Sequence, residues 1–158
     1  MEKLENNNKI NFPKQDTTPI NLSIMEPNLE NAHPYETTLL SSSGTGAAYA
    51  TALAIRRNWG DSVRIIGCDS NPANLVTTSL FSDKFIQLPL NIDNSFKKKL
   101  HSILISEKVN TYIPFIDHEV YIGAALYEES FKDAQLKIQV KDSFTADLCD
   151  DKYKTYFF

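Results

Sequence analysis

From Thr37 onward the apolar positions fall into two alternating textures: short aliphatic or β-branched runs, and longer stretches with helical spacing. Thr38, Leu39 and Leu40 predict a first strand over Thr37 to Ser42. A serine and glycine turn follows, and the alanine-rich stretch from Gly46 to Asn58 predicts a helix. Gly60 supplies the left-handed stop that glycine occupies without strain. Val63, Ile65 and Ile66 predict a second strand from Ser62 to Cys68, ending at Asp69. Asn71-Pro72 opens a short helical turn through Leu80, and Phe85-Ile-Gln-Leu88 forms a third strand that Pro89 stops. Asp93 or Asn94 caps the next helix, in which Phe96, Leu100, Ile103, Leu104 and Val109 trace one apolar stripe. Thr111-Tyr-Ile-Pro-Phe115 is a fourth strand. Asp117 reads as the cap of a helix carrying Val120, Ala124 and Tyr127. Lys137 to Val140 is a short fifth strand, and Ser143 begins a last helical segment.

Strands alternating with helices at this spacing predict an α/β fold: an open parallel sheet of about five strands with helices on both faces. Ligands bind such sheets outside the carboxyl ends of the strands. Three turns are therefore expected on one rim: Ser41 to Gly46, Asp69 to Pro72, and Ile116 to Glu119. The small residues Ala47, Ala48, Ala50 and Ala54 are expected to let the first helix lie close to the sheet.

Residues 1–36 have a different texture. They hold four of the seven prolines (Pro13, Pro19, Pro27, Pro34), the Asn6-Asn7-Asn8 run and none of the five glycines. Their apolar residues keep no period, which predicts a mostly irregular arm with a short strand around Ile20 to Met25.

Composition narrows the picture. The chain has 158 residues, 42% of them hydrophobic and 23% charged, enough for one domain with a sizeable core. A formal net charge of -4 offers no global attraction to nucleic acid or anionic lipid, and neither is expected as a partner. No apolar run approaches a bilayer span and no signal-peptide core opens the chain. Two cysteines, Cys68 and Cys149, make neither a metal spacing nor a disulfide framework, so a cytoplasmic setting is expected. Cys68, at a strand end, reads as a small buried hydrophobe. The Lys97-Lys-Lys99 run reads as a solvated helix face.

The chemistry concentrates on the predicted rim. Gly44 and Gly46 follow a strand, and Asp69 ends the second strand 69 − 44 = 25 positions later, the arrangement of a dinucleotide site with its ribose-binding acid. Tyr49 stands where the third glycine belongs, and there it is expected to hold helix and strand apart. A self-contained NAD-type nucleotide-binding module is thus one reading. Asp117 and Glu119 place two carboxylates on one helix's first turn, suited to an ammonium group or a cation, or simply to the helix dipole. His118 between them is either a proton carrier near neutral pH or an exposed loop histidine.

Five segments in order, Ser43-Gly-Thr-Gly46, Gly67-Cys-Asp-Ser-Asn-Pro72, Ser82-Asp-Lys-Phe85 with Pro89, Ile113-Pro-Phe-Ile-Asp-His-Glu119 and Asp151-Lys-Tyr-Lys-Thr155, resemble the N-terminal domain of ATP-grasp enzymes. The likeness is to the carbamoyl-phosphate synthase large-chain family and covers Thr37 to Phe158. It implies a Rossmann-like domain over residues 37–142 and the start of a linker and ATP-grasp region over residues 143–158. It also implies a parent that joins a carboxylate to an amine or other nucleophile through an acyl-phosphate, using ATP and Mg²⁺. On this resemblance Gly44, Gly46, Asp69, Asn71 and Lys152 belong to the nucleotide side, while Asp117, His118 and Glu119 lie beside a small substrate, possibly amino-bearing. ATP and Mg²⁺ would be held by a downstream ATP-grasp domain, on the same parent chain or a separate subunit. This chain alone would bind neither tightly and would not catalyse.

Overall fold

The computed structural model describes residues 36–91 and 93–157. The expected arm and its short strand lie outside the described residues, apart from Glu36. That residue opens the first strand because its backbone pairs with Val63.

Five parallel strands form one sheet: β1 (Glu36–Leu40), β2 (Val63–Asp69), β3 (Lys84–Gln87), β4 (Thr111–Ile113) and β5 (Lys137–Ile138), in the spatial order β3-β2-β1-β4-β5. β4 stops two residues short of the expected end because Pro114 has no N–H to continue the ladder. The helices are α1 (Gly46–Trp59), α2 (Asn94–Ser106), α3 (Asp117–Leu126), α4 (Ser143–Asp150) and α5 (Lys152–Phe157). The turn expected from Asn71 to Leu80 is two 3₁₀ turns, Ala73–Leu75 and Thr77–Phe81. The last helical segment is likewise two. Asp151 breaks it by accepting the N–H groups of Tyr153 and Lys154 with its own carboxylate.

Alternation along the strands builds two cores. Leu39, Ile66, Cys68 and Tyr112 pack with Phe96, Leu100, Ile103 and Leu104 of α2 and with Ile122 and Leu126 of α3. Their chain neighbours Leu40 and Ile65 face the opposite way and pack with Ala52 and Ile55 of α1. The apolar stripe of α2 is buried over its whole length, and Asp93 caps the helix by accepting from Ser95 N–H at 2.7 Å. Gly60 has φ 54 and its N–H closes onto Arg56 O, so the helix stops where expected; its ψ of -128, however, lies outside the left-handed helical region, a positive-φ conformation that still favours glycine. Arg56 ties α1 to its surroundings through the carbonyls of Phe81, Gly60 and Val63 and the Asp83 carboxylate.

Two expectations about α1 are corrected. Ala48 and Ala52 meet the sheet, whereas Ala47, Ala50 and Ala54 are exposed. Tyr49 wedges nothing apart. Its ring points outward and packs edge-on against Phe81 at 5.6 Å, because it sits one position round the helix from the buried Ala48. On the far side, Gly123 lets α3 approach β4 closely: a Cβ there would stand 2.7 Å from Tyr112 Cε1.

Among the described residues no helix is long and apolar enough to cross a membrane.

Candidate functional site at the carboxyl edge of the sheet

The chain leaves β1 toward β2 and β3 on one side, then returns to place β4 on the other side of β1. The carboxyl ends of β1 and β4 therefore flank the point where strand order reverses, the place where open α/β sheets carry a ligand crevice. The three predicted turns do gather here. Their own side chains tie them together.

On the β2 side the link is Asp69, which is 7% exposed. Its Oδ2 accepts the Gly44 N–H at 2.7 Å, while Oδ1 accepts the Asn71 backbone N–H at 2.9 Å and the Asn71 Nδ2 at 3.0 Å. The Ser43 N–H adds a bond to Cys68 O at 2.9 Å. Gly44 is needed for this approach, since a Cβ on it would press to 3.0 Å from Asp69 Oδ2. Gly46 plays no such part: it is the first residue of α1, and nothing stands within 4 Å of where its Cβ would be. Thr45 caps α1, accepting from Ala48 N–H at 3.2 Å.

On the β4 side the link is Glu119, only 2% exposed. Its Oε2 accepts from Ser41 Oγ at 2.6 Å and its Oε1 from Ser42 Oγ at 2.8 Å. Ser41 Oγ also meets the Tyr112 hydroxyl at 3.0 Å. Ser42 adopts φ 44, a left-handed conformation that few non-glycine residues take, and so turns its hydroxyl toward α3. Burial raises the Glu119 carboxyl above the usual range. The nearby Asp69 carboxylate adds to the rise, against the hydroxyls of Ser41 and Ser42 and the Phe115 backbone. Tyr112, buried beside it, is held well above the ordinary phenol range by the same loss of water. Burial likewise pushes the Cys68 thiol up to about 12, fitting a packed hydrophobe.

The expected cap on α3 is corrected. Ile116, with extended backbone, occupies the cap position and contributes no side-chain bond, because the helix begins at Asp117. Asp117 and His118 stand exposed in the first turn while Glu119 turns inward. Lys152 is the first residue of α5. The structure thus brings Gly44, Asp69 and Asn71 into one cluster and Glu119 into a second across β1. Sequence reading passed over Ser41, Ser42 and Tyr112, which complete that second cluster. Their only signal is a serine run at the end of a buried strand.

Among the described residues no group of three or more His, Cys, Asp or Glu could hold a metal ion. No protein-family model and no curated protein matches the chain.

Proposed function

We propose that this chain is the leading, Rossmann-like domain of an ATP-dependent carboxylate–amine ligase of the ATP-grasp type. It would supply scaffold and one wall of the acceptor-substrate site. The observation that carries this reading is the acidity of the rim. Asp69 and Glu119 lie buried on either side of β1, and Asp117 stands exposed in the first turn of α3. An exposed carboxylate beside a helix N-terminus offers an ammonium group a partner of opposite charge. Asp117 is the group assigned to meet the substrate's amine, with His118 beside it. Asp69 and Asn71 shape the turn.

The dinucleotide reading is supported by strand order, by the glycine turn and by the acid ending β2. Against it stands the Gly44 N–H, which already donates to Asp69. A pyrophosphate approaching that turn would meet a carboxylate where a phosphate site offers unspent amides.

Calorimetric titration of the chain with NAD, NADP and ATP is expected to give no saturable heat in the micromolar range. Micromolar binding of either dinucleotide would reject the ligase reading in favour of the cofactor module. In the protein joined to its ATP-clamping domain, Asp117→Asn is expected to raise the acceptor KM several-fold with a smaller effect on kcat. Unchanged kinetics would remove Asp117 from the site.

A further inference from the structure

The cluster across β1 has a direction. Ser41 Oγ carries one hydrogen and gives it to Glu119 Oε2, so the 3.0 Å contact with Tyr112 is donated by the phenol. Ser42 gives its own hydrogen to Oε1. While Glu119 is ionised, the chain reads Tyr112 to Ser41 to Glu119, with Ser42 donating from the other side.

A neutral Glu119 must place a proton of its own on one of those oxygens. Oε2 is closed to it. A proton there donates to Ser41 Oγ, and either the Ser41 or the Tyr112 hydrogen is then left without an acceptor in a buried position, Ser41 being 0% and Tyr112 1% exposed. Oε1 is open. A carboxylic O–H at Oε1 donates to Ser42 Oγ, and Ser42, which is only half-buried, turns its hydrogen outward. We propose that Glu119 is a proton-operated switch that sets the hydrogen-bond polarity of Ser42 at the β1–β4 crevice. With Glu119 ionised, Ser42 offers the rim a lone pair. With Glu119 protonated, it offers a donor. The bond between the two loops survives in both states, and only its sense reverses.

Other groups around the carboxyl favour the exchange. Asp69 faces it from the end of β2 and raises its proton affinity. Tyr112 on β4 and Cys68 on β2 are both buried and neutral. On α3 itself Asp117 and His118 precede it and are exposed. No cation is among the groups that shift Glu119. The switch goes beyond the ligase reading and stands whether the crevice receives an amine, a nucleotide or neither.

The test needs no ligand. The full chain, labelled with ¹³C-glutamate and ¹⁵N, is titrated from about pH 4 to about pH 9 by NMR. The Glu119 carboxyl carbon is expected to titrate above the ordinary glutamate range, and the Ser42 and Ser43 amides to move with the same midpoint. Glu119→Gln keeps an acceptor toward Ser41 and donates its Nε2–H to Ser42, so it copies the protonated state. Its loop amides are expected to hold their low-pH positions at every pH. Ser42→Ala removes a donor from the ionised form, so the Glu119 midpoint is expected to move further up. Loop amides that ignore the Glu119 midpoint overturn the proposal. So does the same loop transition surviving in Glu119→Gln, or an unmoved midpoint in Ser42→Ala.

Discussion

Gly123→Ala measures how tightly the core supports the rim. Gly123 lies in α3 directly behind Tyr112, and a methyl group there would stand 2.7 Å from Tyr112 Cε1 and 2.8 Å from Ile138 Cδ1. Carbon atoms pack best at about 3.5–4.0 Å, so both neighbours have to give. Ile138 can swing its terminal carbon aside, being only partly buried. Tyr112 cannot, because its ring is enclosed and its oxygen is held against Ser41. Overpacking of this kind costs about 1–3 kcal/mol, and the upper half of that range applies where a locked ring is struck. Replacing glycine by alanine inside a helix returns about 1 kcal/mol. The net expectation is a loss of about 1–2 kcal/mol, or on the order of 4–8 °C in Tm for a domain of this size. Thermal and urea unfolding followed by circular dichroism read it directly. Ile138→Val removes the Cδ1 carbon, so the double variant is expected to recover part of the loss as a favourable coupling. A Gly123→Ala protein as stable as the parent would refute the close packing of α3 on β4.

Two further outcomes follow from the buried groups. Burial raises the Glu119 carboxyl, so its neutral form favours folding. That contribution is complete below the ordinary value of 4.5 and is lost as pH rises through the higher folded-state value. The parent should therefore lose stability relative to Glu119→Gln across that window in Tm measured against pH, and a difference of the opposite sign would contradict the burial. For the thiols, Cys149 is exposed while Cys68 is fully enclosed and pushed up to about 12. Reaction with a disulfide reagent at neutral pH should label one thiol quickly and the second only on unfolding. Rapid labelling of both would place Cys68 outside the core.

Local chemistry made much of this fold legible. The α2 stripe, the Gly60 stop and the Asp93 cap each depend on neighbours within a few residues, and each stands where the spacing put it. The parallel sheet followed from alternation alone. The errors arose where a residue's direction or partner is tertiary. Whether Tyr49 or Ala48 meets the sheet depends on the rotation of α1, which the alanine-rich stretch with its weak polarity left open. Asp117 looked like a cap, but Ile116, in extended conformation after Pro114 and Phe115, took that place. Glu119 lies 119 − 41 = 78 positions from Ser41. Only the placement of β4 beside β1 makes them neighbours, and no local pattern encodes a strand order. Asp69 had the spacing of a ribose acid, yet spacing is silent on which donors a carboxylate faces.

A glycine turn at a helix N-terminus attracts phosphate because its amides have no partner in the protein. Here Gly44 gives its N–H to Asp69, and the same carboxylate takes both N–H groups of Asn71. The turn has in effect bound an internal anion, and a phosphate arriving there would have to displace a carboxylate covalently tethered a few ångströms away. Tethering gives that carboxylate a high effective concentration, so displacement is costly at any ordinary ligand level. A cation meets no such competition, and on the switch proposed above ionised Glu119 turns a Ser42 lone pair toward it. On the proposed ligase reading, charge and hydrogen-bond polarity would select together for an amino-bearing ligand, and raising the pH through the Glu119 transition is expected to strengthen that preference.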